Sequence, residues 1–347
     1  MRDVKAQSNF SSQYTSSTYQ QGDDRLLTPP VNGGPVEVRA AFHIQDIDMI
    51  DDELETIQFI GFLNLSWKDP RQSFDPEKEG LSEKVYQGSF QFNEISPAWY
   101  PQVELVNTYG VIEDQSVLLR VSPDGTCTLI ESMNAIAKTR MDLRRYPFDN
   151  QELKVYFKVL GYSNKEVVFI VDSSSATREN KPMRIPEWNL TGIDASVQSI
   201  KTPYFSIEDA SSAFVLTLDV KREPFFMIRL IVLPLTLIAF LSWSVFWMDK
   251  SSLGDRMSVS FVGILTAVTY QVLVAGILPQ ISYFTLIHSY VNIIFLVMCG
   301  TIVINLIVGA LDKKGDTEAS NRLDRICRWA FPAGYAVLTI VQVVFFY

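Results

Sequence analysis

Met257–Pro279 reads MSVSFVGILTAVTYQVLVAGILP, a run without one charged side chain. A helix rising 1.5 Å per residue needs about 20 apolar residues to cross the roughly 30 Å hydrocarbon core of a bilayer. The run is long enough, and three others accompany it. Phe225–Met248 carries one charge, Arg229, near its start. Ile281–Leu311 is charge-free up to Asp312, and Trp329–Tyr347 closes the chain. One such run can be the buried helix of a soluble core. Four in succession read as membrane spans, placed at about 225–248, 255–277, 283–311 and 324–346 within a unit covering 224–347.

The links between the runs set the orientation. Lys250 and Arg256 lie between the first and second, and Lys313, Lys314, Arg322, Arg325 and Arg328 between the third and fourth. Leu278–Tyr283, between the second and third, has no basic residue. Basic links stay in the cytoplasm, so the front half of the chain and Tyr347 are expected to face the exterior. Trp243, Trp247, Trp329, Tyr283 and Tyr347 sit near the span ends, where interfacial anchors are expected.

The charge balance follows this division. The 347 residues carry 39 acidic and 30 basic side chains, a net charge of −9. Residues 224–347 hold eight basic and six acidic ones, net +2, which leaves residues 1–223 at −11. No basic surface suited to nucleic acid is expected on such a chain. Cys127, Cys299 and Cys327 are isolated, and His43 and His288 are far apart, so neither a disulfide framework nor a structural zinc site is indicated. No nucleophile, metal or phosphate-loop motif is present, and neither an enzyme nor a cofactor is expected.

From residue 35 to 223 the period is two. Leu153, Val155, Phe157 and Val159 alternate with Glu152, Lys154, Tyr156 and Lys158, and Phe214, Leu216, Leu218 and Val220 repeat the pattern. Further strands are expected at Val36–Asp48, Thr56–Asp69, Val117–Val121, Thr126–Ser132 and Val167–Asp172, with a turn at Ser122-Pro123-Asp124-Gly125. The expected fold is an all-β, immunoglobulin-like extracellular sandwich followed by an all-α domain of four transmembrane helices. Residues 1–34, rich in Ser, Gln, Thr and Gly, are read as a weakly ordered extension. They lack the apolar core of a secretory signal, so an exported domain implies a removed signal or a different native start.

Within the second run, Asp255, Ser258, Val262, Leu265, Thr269 and Val272 recur at intervals of three and four, which places them on one stripe of a helix. By spacing alone two readings stand. Asp255 and Arg256 can end a span and satisfy one another, with Ser258 and Thr269 packed on neighbouring helices, or the stripe can face water.

Five stretches resemble the pentameric ligand-gated ion channel (Cys-loop receptor) superfamily, its prokaryotic branch above all. They are Leu63–Arg71 (LNLSWKDPR), Val121–Gly125 (VSPDG), Arg144–Gln151 (RRYPFDNQ), Leu241–Trp247 (LSWSVFW) and Ile277–Thr285 (ILPQISYFT), in family order. The Tyr146-Pro147-Phe148-Asp149 turn has no flanking Cys, and the link between the third and fourth spans is short. Both departures look prokaryotic. The resemblance implies a homopentamer in a bacterial inner membrane, surrounded by lipid, conducting monovalent cations, and opened by a small molecule or by protons.

It also implies roles for residues. Five copies of the stripe would form rings, with Asp255 a carboxylate ring at the inner mouth, Ser258 a polar ring and Leu265 an apolar constriction that gates by dewetting. Gly254-Asp255-Arg256 resembles the Gly-Glu-Lys stretch of cation-selective members, and the Pro-Ala insertion usual in anion-selective members is missing. Coupling would run through Asp51, Asp52 and Glu53, the YPFD turn, Arg222, and the Pro279–Phe284 link including Tyr283, with Arg222 pairing Asp149 and one acid of the first turn. Ligand positions would include Phe62, Leu160, Tyr204 and Phe205, with Glu104, Asn107 and Arg120 as polar candidates. Val106 and Leu160 stand where the family places aromatics, and Trp99 is read as a packing residue. The alternative is a membrane-anchored binding or adhesion protein that does not conduct.

Overall fold

The protein is described by a computed structural model over residues 28–30, 33–87, 98–110, 113–172, 185–201, 210–248 and 253–347. Most of the expected N-terminal extension, Tyr204, Phe205 and Lys250 lie outside the described residues.

Among the described residues, ten strands fill the front half: β1 Val36–Asp51, β2 Thr56–Lys68, β3 Lys84–Gln87, β4 Val103–Leu105, β5 Glu113–Val121, β6 Thr126–Lys138, β7 Asn150–Val159, β8 Val167–Val171, β9 Trp188–Lys201 and β10 Ala210–Arg222. They make a six-stranded sheet in the order β3-β5-β6-β2-β1-β8 and a four-stranded sheet in the order β4-β7-β10-β9. Alternation packs the two together. On β7, Leu153, Val155 and Phe157 are fully buried, and across the gap Phe157 stacks on Phe42 of β1 at 5.2 Å between ring centres. Phe59 meets Phe42 edge-on at 5.6 Å. This is the interdigitated core of two face-packed sheets. Trp99 is buried between Trp67 and Tyr162, each 5.9 Å away and edge-on.

Among the described residues, the sandwich has three strands beyond those expected. β3 and β4 are four and three residues long, too short to show a period. β9 lies at the edge of its sheet, and past Leu190 its side chains are exposed or half-buried, so no apolar alternation marks it.

In the turn after β5, Gly125 sits at φ 81°, donates to the Ser122 carbonyl (2.9 Å), and leaves room for one atom fewer than alanine needs. A Cβ there would lie 2.5 Å from the Asp69 carbonyl oxygen. Gly125→Ala is expected to destabilise the sandwich by about 1–3 kcal/mol, read as a lower melting midpoint of the purified protein. An unchanged midpoint would show that the turn adapts.

Four long apolar helices follow, at Phe225–Trp247, Leu253–Ala275, Leu286–Lys313 and Thr317–Phe346. The first is interrupted. Ile228–Val232 widens to a π segment just ahead of Pro234, whose missing N–H and bulky ring break the regular ladder. Hydroxyls reach the carbonyls around this break. Val232 accepts from Thr236 Oγ1 (2.6 Å) and Tyr290 OH (3.1 Å), and Leu230 accepts from Tyr270 OH.

Three expectations are corrected here. The fourth helix begins at Thr317, not near 324, because Asp316 caps it by accepting from Ala319 N (3.1 Å). Arg322, Arg325 and Arg328 are therefore on its first turns and not in the link, and Arg328 Nε donates to the Phe246 carbonyl (2.8 Å), closing the end of the first helix. Trp243 is no interfacial anchor. It is 1% exposed, packed edge-on against Phe240 and Tyr335, whereas Trp247 and Trp329 do face outward.

Candidate functional site

The second transmembrane helix has two unlike sides. Asp255, Ser258, Val262, Leu265, Thr269 and Val272 are all exposed, with Leu265 and Val272 at 67% and 70%. Ser258 Oγ and Thr269 Oγ1 donate back to the carbonyls of Gly254 and Leu265, 2.9 Å each, the turn-N-terminal bond open to a hydroxyl with no other partner in reach. The opposite side carries Arg256, Ser260, Ala267 and Val274, all buried. Ser260 Oγ accepts from Asn305 Nδ2 on the third helix (2.9 Å), and Gly263 leaves just enough space for Ser242 of the first. Arg256 turns into the bundle, where Nη2 donates to Asp324 Oδ1 of the fourth helix at 2.7 Å, a carboxylate partner 68 positions away in the chain.

At the other end of the bundle the sandwich meets the helices around Arg222, the last residue of β10. Its Nε donates to Asp149 Oδ1 (2.9 Å) and its Nη2 to Asp52 Oδ1 (2.8 Å) and Asp149 Oδ2 (3.3 Å). The guanidinium plane lies 3.9 Å from the Trp188 ring centre and 4.5 Å from that of Tyr146. Arg222 is 2% exposed and Asp149 equally buried. Burial works against the arginine's charge, but the hydrogen bonds and attraction of Asp52 and Asp149 outweigh it and raise its pKa. At Asp52 the balance falls the other way: burial outweighs the guanidinium and lifts the carboxyl above its ordinary range. Asp51 does a different job, accepting from the N–H groups of Glu53 and Leu54 to close its own turn. Glu53 is exposed.

The YPFD turn joins both units. Tyr146 and Pro147 are buried, with a cis bond between them, and Phe148 is exposed at the tip. Leu143 N donates to Tyr283 OH (3.1 Å), and Leu286 N, in the first turn of the third helix, donates to the Arg144 carbonyl (2.9 Å). Pro279 is buried at the foot of the same link. Arg145 reaches the end of the fourth helix, donating to the carbonyls of Phe346 (3.0 Å) and Tyr347 (3.2 Å).

The ligand candidates fall on different surfaces. Phe62, 38% exposed, lines a concavity of about 660 Å³ on the outward face of the six-stranded sheet, with Ser116, Leu118, Ile130 and Ser132. Arg120 projects from the same face of β5 and lies 3.8 Å from Glu83. Leu160, exposed, and Glu104, 3.2 Å from the buried Lys158, are on the four-stranded sheet. Within one chain the two groups do not meet. Asn107 is engaged by the backbone: its Nδ2 donates to the carbonyls of Lys138 and Lys154, and its Oδ1 accepts from Tyr156 N. Both ends of the amide are spent tying the sheets together.

Two sequence-family comparisons cover the chain in the order of the two units. The neurotransmitter-gated ion-channel ligand binding domain matches residues 15–224, and the neurotransmitter-gated ion-channel transmembrane region matches residues 231–321. The chain belongs to the pentameric, neurotransmitter-gated ion channel family. A proton-gated ion channel of Gloeobacter violaceus is 28% identical over 92% of this chain and 86% of its own length. The γ-aminobutyric acid receptor subunit rho-3 of Homo sapiens is 24% identical over 80% of this chain, and subunit beta-4 of Gallus gallus 24% over 88%. The chain spans about three fifths of those two subunits, 58% and 62%.

The channel also has a buried acid, concealed in the apolar alternation of β6. On β6, Cys127, Leu129, Met133, Ala135 and Ala137 face the core, and Glu131 falls on the same phase. Pairing aligns it in a row with Val117 of β5, Leu63 of β2 and Phe42 of β1. It is 7% exposed, no charged group contributes to its titration, and burial alone pushes it up to about 7. A strand expected to stop at Ser132 shows too few repeats for this departure to stand out.

Proposed function

We propose that five copies of this chain form a proton-gated, cation-selective channel in a bacterial inner membrane, with the second transmembrane helices around the axis. The observation that carries the reading is the exposed stripe from Asp255 to Val272 on a helix whose other side is packed against its own bundle. An apolar span normally exposes either lipid-facing aliphatics all round or nothing polar. Here a carboxylate and two hydroxyls share one line, which a common aqueous axis satisfies. Five Asp255 carboxylates at the inner mouth concentrate cations and repel anions, and the Leu265 ring narrows the path to an apolar constriction.

Protons as the stimulus are supported by two acids outside the membrane whose titration burial has moved upward, Glu131 and Asp52. The Gloeobacter relative is named for the same stimulus. The concavity at Phe62 supports a small-molecule agonist less well, because Val106 and Leu160 leave the opposite wall without aromatic faces. Coupling is assigned to Arg222, Asp52, Asp149 and the YPFD turn, which lean on the Tyr283 link and the third helix.

Currents from the purified protein in bilayers, across a pH series from about 4 to 9, test the proposal. A cation-following reversal potential is expected, and Asp255→Ala is expected to lower the cation-to-anion permeability ratio about tenfold. A reversal potential that follows Cl⁻ would sink the selectivity claim. Silence under every condition would favour a membrane-anchored binding protein.

A further inference from the structure

Asp255 and Arg256 are neighbours of opposite sign at the end of the same helix, and successive residues of a helix point about 100° apart. Which of them meets the axis decides whether the inner mouth carries five carboxylates or five guanidinium groups. The helix end itself does not choose, since a long arginine side chain can swing its charge over several ångströms to reach water. The choice is made on the fourth helix. Asp324 is 1% exposed and holds Arg256, also 1% exposed, through one charge-assisted hydrogen bond of 2.7 Å. Among the described residues, Arg256 Nε and Asp324 Oδ2 have no hydrogen-bond partner, so this single bond is what answers the two buried charges. Ser260–Asn305, one turn along, secures the same side of the helix.

We propose that Asp324 is a specificity-determining residue: by holding Arg256 inside the bundle it keeps a cationic ring out of the inner mouth and presents Asp255 in its place. The inference rests on the cation-selective reading above and adds a residue that does not touch the ion path. Without the Asp324 carboxylate, a guanidinium in an apolar bundle has no counter-charge, and the nearest escape is the aqueous mouth beside Asp255. There it cancels the carboxylate ring.

Reversal potentials in a NaCl gradient, measured on the full-length protein in bilayers, test this with four channels: wild type, Asp324→Asn, Arg256→Gln and the double variant. Asp324→Asn is expected to lose about tenfold in cation-to-anion permeability. Arg256→Gln is expected to keep the wild-type ratio, and the double variant to recover it, because no charge is left to swing. An Asp324→Asn channel with the wild-type ratio, or a double variant as impaired as the single one, would overturn the proposal. A merely structural pair would change assembly or current size and leave the reversal potential where it is. If Asp324→Asn alone does not assemble, pentamers mixed with wild-type subunits are recovered through a tag on the variant, and an unshifted potential in these overturns the proposal equally. A wild-type channel that prefers Cl⁻ is a different result. It removes the selectivity reading itself.

Discussion

Arg222→Ala is expected to silence the channel and to lower the stability of the extracellular unit by about 3–5 kcal/mol, the cost of leaving a buried charge without its partner. The arginine is not one contact among many. It is the only cation that the buried Asp149 and the part-buried Asp52 share among the described hydrogen bonds, and its plane is clamped between Trp188 and Tyr146. Its removal strands two carboxylates at the base of the sandwich, directly above the turn that touches the third helix. Arg222→Lys is the sharper comparison. A lysine keeps the charge but offers no planar fork to bridge two carboxylates and no flat face to stack on two rings, so gating is expected to fail even where folding survives. Currents and melting curves on the same preparations separate the two effects. A lysine variant that opens with wild-type pH dependence would remove the coupling role, and an alanine variant that melts like the wild type would remove the structural one.

Glu131→Gln is expected to change the response to pH more than any other single substitution in the sandwich. The folded protein holds Glu131 near 7, against 4.5 for a free side chain, so folding favours the protonated form. Stability from this group is fully present below about 4.5 and is lost as pH rises through about 7. Above that, an ionised carboxylate sits in a row of Phe42, Leu63 and Val117, at a cost of about 3 kcal/mol. Glutamine resembles the neutral acid in size and cannot ionise. The variant is therefore expected to match the wild type near pH 4, to melt higher than it near pH 8, and to flatten the pH–melting curve between. If Glu131 also contributes to the stimulus, the pH of half-maximal current moves with it. Identical melting curves and an identical activation midpoint for both proteins would show that this acid is not the one titrating.

The two predictions differ in how far their residues stood out in the chain. The resemblance to a known family already implies a pairing of Arg222 with Asp149, but it leaves Asp51, Asp52 and Glu53 as three equal choices. Only the fold separates them: Asp51 is consumed by its own turn, Glu53 points to solvent, and Asp52 alone reaches the guanidinium. Glu131 was legible in the period of β6 once the strand's full length was known. Asn107 is the opposite case. A polar residue in a plausible ligand position turned out to be spent on three backbone partners, and hydrogen-bond partners distant in sequence leave no local signal.

What the sequence determined by itself was everything that depends on neighbours a few positions apart. The period of two made a sandwich, the long uncharged runs made four spans, and intervals of three and four drew the stripe from Asp255 to Val272, because strand, helix and bilayer thickness each impose a short, fixed repeat. What only the tertiary structure decided was where each charge points. Asp255 and Arg256 are adjacent in the chain and equal in it. A carboxylate 68 positions later, brought alongside by the packing of the fourth helix, takes the arginine into the bundle and leaves the aspartate exposed. In a low-dielectric interior a charge goes where its counter-charge is, and that place is set by the fold.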